Sequence, residues 1–218
     1  MATQMPRSSA RPRPTLVLFV RHGHTPTTGK VLPGRAGGLH LSDDGRAQAD
    51  QVAERLSVLS AIDAVYASPL ERTRETAAPI AAARGLKVKT ERGLLEADIG
   101  EWTGWELKAA RKAPEWKVVQ RNPSGFRFPG GESFLEIQTR LVATIERLRA
   151  AHPGGAVVAV SHADPIKAAL AHALGAHLDS FQRFAVSPCS VSAVAYGDGA
   201  PMVLSMNSVG DLRALRPA

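Results

Sequence analysis

Thr15-Leu16-Val17-Leu18-Phe19-Val20-Arg21-His22-Gly23-His24-Thr25 reads as a buried β-strand that runs straight into a polar corner. The unbroken apolar run suits a strand covered on both faces, as in a parallel sheet. A second stretch is built the same way, with Ala156-Val157-Val158-Ala159-Val160 leading into Ser161-His162-Ala163-Asp164. In an open sheet of parallel strands, residues just past the carboxyl ends line the ligand crevice. His22 and His162, far apart in the chain, are therefore expected to face one pocket, with Arg21 beside the first. That set points to chemistry on an anion, a phosphate above all.

The remainder of the chain is compatible with such a sheet. A length of 218 residues fits one domain with a substantial core, and 44% hydrophobic content is a globular value. Strands alternating with helical stretches place it in the α/β class. Residues 1–14 carry Arg7, Arg11 and Arg13 among Ser and Pro and lack the apolar middle of a secretory signal. They read as a disordered tail ahead of a single domain over residues 15–218. No apolar run approaches the roughly 20 residues of a membrane helix. A lone cysteine, Cys189, excludes an internal disulfide and fits a reducing, cytoplasmic setting. The net charge of +7 is partly the tail's, and no basic block is interleaved with aromatics. A small phosphorylated substrate explains that bias more economically than nucleic acid does.

Between the two strand ends the pattern is uneven. A Gly-rich loop, Thr27 to His40, precedes Ser42, which can cap a helix with Ala49, Val52, Ala53, Leu56 and Leu59 at helical spacing. Asp63 to Ala67 reads as a strand, and Ser68-Pro69 as the start of a helix that ends or breaks near Pro79. Leu86 to Thr90 reads as a short strand. From Glu91 to Pro129 periodicity fades, while Trp102, Trp105 and Trp116 appear among prolines and cations. This stretch is expected to be an insertion, either a lid over the sheet edge or a small satellite core. Gly130-Gly131-Glu132-Ser133 then leads into a helix with Phe134, Ile137, Leu141, Ile145 and Leu148 on one face. Asp164-Pro165 reads as cap and first position of another helix. Ser190 to Tyr196 and Met202 to Met206 read as a terminal hairpin, whose edge strand is compatible with a monomer or a homodimer.

Cleaving a phosphate ester requires a nucleophile, compensation of the phosphoryl charge and a proton for the leaving oxygen. A neutral imidazole can attack phosphorus and form a phosphohistidine, splitting one hard step into two. Arg21 offers a planar fork of donors for phosphate oxygens. Gly23, without a Cβ, would let backbone amides approach the phosphate. His22, His24, His40 and His162 lack a compact metal-ligand spacing, so neither a metal nor another cofactor is expected.

Five ordered motifs resemble the histidine phosphatases, the superfamily that includes cofactor-dependent phosphoglycerate mutases. RHGHT at 21–25 is similar to the RHGxT signature, and Ser68-Pro69-Leu70-Glu71-Arg72-Thr73-Arg74-Glu75-Thr76-Ala77 to SPLxRxxxTA. Leu95-Glu96-Ala97-Asp98-Ile99-Gly100-Glu101-Trp102-Thr103-Gly104 resembles LxExxxGxWxG. Residues 129–133 match PGGES, and Ser161-His162 the second SH motif. The resemblance implies a three-layer α/β/α sandwich with a mainly parallel mixed sheet, as in the phosphoglycerate mutases. It also implies that His22 is the nucleophile, that Arg21, Arg72 and a cationic His162 hold the phosphoryl group, and that Glu96 is the proton donor. By position alone Asp98 and Glu101 compete with Glu96 for that role.

The departures bear on the substrate. Thr28 stands where family members often have an Asn that reaches the phosphate, so a hydroxyl replaces an amide there or the contact is lost. The loop from Leu32 to Gly45 differs from the common pattern, which makes Lys30 and Arg35 candidates for specificity. Ala163-Asp164-Pro165 replaces the usual glycine-rich start after SH. Around Glu96 the chain reads IGEWTG, like the phosphatases, where glycolytic mutases typically read HYGxLxGLNK. The expected activity is thus a metal-independent phosphomonoester hydrolase acting on a small phosphorylated metabolite. The alternatives are a phosphomutase and a non-catalytic phosphate-binding regulatory module.

Overall fold

A computed structural model describes residues 13–210. The tail reading for residues 1–12 lies outside the described residues, as do residues 211–218. In chain order the elements are β1 (Thr15–Arg21), α1 (Asp43–Ser57), β2 (Ala64–Ala67), α2 (Glu71–Ala82), β3 (Val88–Thr90), α3 (Leu107–Ala110), α4 (Trp116–Arg121), α5 (Phe134–Ala151), β4 (Ala156–Ser161), α6 (Ala163–Ala173), β5 (Val191–Tyr196) and β6 (Met202–Ser208). The strands form one sheet in the order β3-β2-β4-β1-β5-β6. The first four are mutually parallel, and the terminal hairpin adds two antiparallel strands at one edge.

Successive side chains of a strand point to opposite faces, and here both faces are apolar. Val17, Phe19, Val157 and Ala159 share a core with Ile137 and Leu141 of α5 and Ile166 and Leu170 of α6. Leu18, Val20, Val158 and Val160 share the other with Val52 and Leu56 of α1 and Ala77 and Ile80 of α2. The layers are therefore helix, sheet, helix. On α5 the stripe from Phe134 to Leu148 is buried throughout. At about 2 kcal/mol per side chain, that stripe alone is enough to dock the helix. Its entry is fixed by a capping box, in which the Ser133 hydroxyl accepts from the Glu136 amide and the Glu136 carboxylate accepts from the Ser133 amide. Among the described residues no helix is long and apolar enough to cross a membrane.

Three local expectations need correction. α2 begins at Glu71 with Leu70 as its cap residue, because the Ser68 hydroxyl is engaged in the interior and does not cap. The helix continues through Pro79 to Ala82, since Ala77, Ile80 and Ala81 are buried on both sides of the proline. α6 begins one residue after His162, which makes Asp164 a first-turn residue and not the cap. The 91–129 segment is a set of short helical turns whose aromatic residues Trp102, Phe126 and Phe128 join the main core on the α5 face.

The register of β1 on β4 pairs Val20 with Val160 and Arg21 with Ser161. Both strands thus end at the same level, and the His22 amide donates to the Ser161 carbonyl at 3.0 Å.

Candidate active site

His22 and His162 leave those strand ends with their rings edge-on, 5.2 Å between centroids. Both are buried. Nδ1 of His22 lies 2.8 Å from the Gly23 carbonyl oxygen. A carbonyl only accepts, so in the neutral ring Nδ1 carries the proton and Nε2 the lone pair. Burial first, then the charges of Arg21 and Arg72, push the His22 pKa down to about 3. The ring is therefore neutral at any ordinary pH, with one nitrogen free to act as a nucleophile.

Gly23 has a different purpose from the one expected. Its amide donates to the Thr76 hydroxyl at 3.0 Å, so it is not free for an anion. A Cβ there would sit 2.5 Å from the Gly45 carbonyl oxygen, and one on Gly45 would sit 2.0 Å from the His24 carbonyl oxygen. The two glycines let the start of α1 press against the loop that carries His22.

Arg72 is fully buried on the first turn of α2, and Arg21 is half-buried at the end of β1. Arg72 donates to the carbonyl oxygens of Gly34 at 2.8 Å and Ala36 at 3.4 Å. Arg21 donates to that of Val186 at 2.7 Å. Among the described residues neither guanidinium has a carboxylate within the 4.0 Å of an ion pair. The Nε atoms of both, and Nδ1 of His162, are buried without a hydrogen-bond partner. Uncompensated buried cations with spare donors are costly by themselves and favour an anion between them. Burial, then Arg72, His22 and Arg21, hold the His162 pKa well below its usual value. The cationic His162 expected from the family pattern is thus neutral in the free protein. Its Nε2 pairs with the Ser68 hydroxyl at 2.8 Å.

Glu96 completes the group, with Oε2 3.9 Å from Nδ1 of His162. Burial, then the Asp164 carboxylate, raises its pKa to about 7, against the Ala97 amide, Arg72 and Arg21. The Ala97 amide donates to Oε1 at 2.9 Å. The backbone here is held from outside. Arg140 of α5 donates to the carbonyl oxygens of Gly93 at 2.7 Å and Leu95 at 2.9 Å, and it pairs with Glu132 at 3.0 Å. Arg35 donates to the Glu96 carbonyl oxygen at 2.9 Å and pairs with Glu132 at 2.8 Å and Asp98 at 3.4 Å.

Arg21, His22, Arg72, Glu96 and His162 are thus brought together, while Thr28, expected at the phosphate, and the specificity candidates Lys30 and Arg35 are engaged or exposed elsewhere. Arg35 is committed to the segment bearing Glu96. The Thr28 hydroxyl accepts from the Thr25 amide at 2.9 Å, within its own loop. Lys30 is exposed in a separate cleft with Glu106 and Lys108. Sequence reasoning missed Ser68, Arg140 and the electrostatic reach of Asp164. For Arg140 a signal was available, since a cation directly beside the apolar stripe of an amphipathic helix often has a buried task. Among the described residues no three His, Cys, Asp or Glu side chains are grouped as metal ligands.

Comparison with known proteins identifies the family and the fold. The sequence model of the histidine phosphatase superfamily (branch 1) matches residues 17–209. A bifunctional protein of Mycobacterium tuberculosis is 34% identical over 218 residues, covering 97% of this chain and 60% of its own length. The chain therefore spans only about 60% of that relative. Phosphoserine phosphatase 1 of Hydrogenobacter thermophilus is 34% identical over 179 residues, covering 80% of this chain and 84% of its own. A mycobacterial glucosyl-3-phosphoglycerate phosphatase has the same fold, with a TM-score of 0.80, 24% identity, and coverage of 91% of this chain and 100% of that one.

Proposed function

For this chain, which belongs to the histidine phosphatase superfamily, we propose hydrolysis of small phosphomonoesters through a phosphohistidine on His22, without a metal. The observation that carries this reading is the neutral His22 beside two guanidiniums that, among the described residues, have no carboxylate within ion-pair distance and each keep an unpartnered Nε. Nε2 of His22 attacks phosphorus while the bond to the leaving oxygen breaks and its electron pair departs on that oxygen. The Glu96 carboxyl supplies the proton, yielding a free alcohol. The Glu96 carboxylate next takes a proton from water, whose oxygen attacks phosphorus. The nitrogen–phosphorus bond breaks, its electrons return to Nε2, and inorganic phosphate leaves. Arg21 and Arg72 offset the charge on the non-reacting phosphoryl oxygens, which is the principal electrostatic demand of phosphoryl transfer, and the unpartnered Nδ1 of His162 shares a hydrogen bond with one of them. With Cys189 its single cysteine, and buried, the chain suits a reducing, cytoplasmic compartment.

The test is release of inorganic phosphate from a panel of phosphorylated metabolites, with a chelator present and no bisphosphorylated primer. Undiminished release supports the proposal. Loss with the chelator indicates a metallophosphatase, and dependence on the primer indicates a mutase. Activity retained in His22→Ala removes the nucleophile assignment.

A further inference from the structure

Of the two ring nitrogens of His162, Nε2 is engaged with Ser68 and only Nδ1 is left for a phosphoryl group. Whether Nδ1 carries a proton is decided on the far side of the ring, by a chain of hydroxyls. Nε2 lies 2.8 Å from Ser68 Oγ, which lies 2.8 Å from Thr73 Oγ1. Thr73 Oγ1 in turn lies 2.7 Å from the Leu70 carbonyl oxygen and 2.9 Å from that of Ser68. Ser68, Thr73 and His162 are all fully buried.

Each hydroxyl has one proton, which fixes the direction of the chain. A carbonyl oxygen only accepts, so the Thr73 proton goes to one of its two carbonyl neighbours, as threonines in helices commonly arrange. The Ser68 hydroxyl then donates to Thr73 Oγ1, since two oxygens at 2.8 Å need a proton between them. Ser68 has nothing left to give, so His162 donates to it from Nε2. The opposite direction, from Thr73 through Ser68 to Nε2, leaves both carbonyl contacts without a proton and makes one hydrogen bond fewer. The neutral ring therefore bears its proton on Nε2 and a lone pair on Nδ1. Around it stand Arg72 of α2, Arg21 and His22 at the end of β1, and Arg140 of α5, with Asp164 on its own helix. Glu96 Oε2 is 3.9 Å from Nδ1, too far to share a proton with it.

A lone pair repels a phosphoryl dianion, so the two can meet only with one proton added between them. We propose that the site takes the phosphoester as its monoanion, the ester's acidic proton bridging a phosphoryl oxygen and Nδ1 of His162, and that Ser68 and Thr73 are positioning residues that keep Nδ1 free to receive it. No bond to phosphorus changes in this step. One proton is shared along an O···N contact, and where the ester is a dianion in solution that proton is taken from the solvent.

The inference rests on the phosphatase reading, and the test separates the two. Nitrogen NMR of protein labelled with 15N-histidine, with His162→Gln identifying the ring signals, reads the tautomer of the free protein. The proton should be on Nε2. Proton uptake is then counted by calorimetry of inorganic phosphate binding at about pH 8 in buffers of different ionisation heat, in Glu96→Gln so that Glu96 contributes none. The expected count is about one proton per phosphate. Adding Thr73→Val frees the Ser68 hydroxyl to donate to Nε2. The ring proton should move to Nδ1 and the uptake fall to about zero, while Thr73→Ser, which keeps the hydroxyl, should behave as the parent. A role in packing alone would leave the tautomer unmoved. A free ring with its proton on Nδ1, no uptake in Glu96→Gln, or an uptake unchanged by Thr73→Val overturns the inference and leaves the phosphatase reading intact. If Thr73→Val does not fold, the first two results decide. No binding of phosphate by the wild-type protein withdraws both.

Discussion

His22 and His162 stand at the ends of neighbouring parallel strands, whereas Glu96 stands on an irregular segment with no strand beneath it. The first pair is positioned by backbone. Register, the His22–Ser161 hydrogen bond and the tight Gly23–Gly45 contact leave those imidazoles little choice. Glu96 is positioned by side chains, chiefly Arg140 and Arg35 bound to backbone carbonyls and to a shared Glu132. The difference teaches that one half of the site comes with the fold, while the other is assembled by three charged residues contributed from distant parts of the chain. On the proposed mechanism the halves also do different work, since the cup forms the nitrogen–phosphorus bond and Glu96 manages the proton.

The comparison breaks most sharply at Arg72. Arg72→Ala removes a buried charge from the cup, and kcat/KM should fall about 10²- to 10³-fold for aryl and alkyl esters alike. A loss confined to alkyl esters would place Arg72 with the acid and not with the phosphoryl group. Glu96→Gln should behave in the opposite way. Alkyl esters should slow by about 10²-fold while aryl phosphates, whose leaving groups need little protonation, change far less. The pH profile sharpens this. The Glu96 pKa is raised to about 7, so the proton it donates is present below that pH and lost as pH rises through it. Wild-type kcat for an alkyl ester should show this descending limb, and Glu96→Gln should not. His22 titrates near 3 and contributes no limb in the neutral range.

Arg140→Ala is expected to give the smallest catalytic effect, a diluted form of the Glu96 phenotype. It frees two backbone carbonyls and leaves Glu132 short of a partner, at about 1–3 kcal/mol of stability. Thermal denaturation and the alkyl-to-aryl rate ratio should therefore move together. A melting shift with an unchanged ratio would make Arg140 a purely structural residue.

The same division explains what could be read without coordinates. β1 and β4 were legible because a run of apolar residues ending in Arg-His or Ser-His has few alternatives, and the α5 stripe because its spacing fits only one face of a helix. Ser42 acts as a helix cap, as its position suggested. Ser68-Pro69 misled because a serine before a proline also looks like a cap, and nothing local reveals that its hydroxyl belongs to His162. The 91–129 segment was illegible for a related reason. Its turns are held by aromatic stacking and by Arg140 from another element, so no local periodicity records them.

All of this turns on a neutral imidazole at position 22 taking the phosphoryl group. Rapid acid-free quenching during turnover of a labelled ester, followed by peptide mass analysis, tests that directly. The account predicts a single phosphorylated peptide carrying the label on His22, absent in His22→Ala. Label on another residue, or turnover in His22→Ala at the wild-type rate, would contradict it.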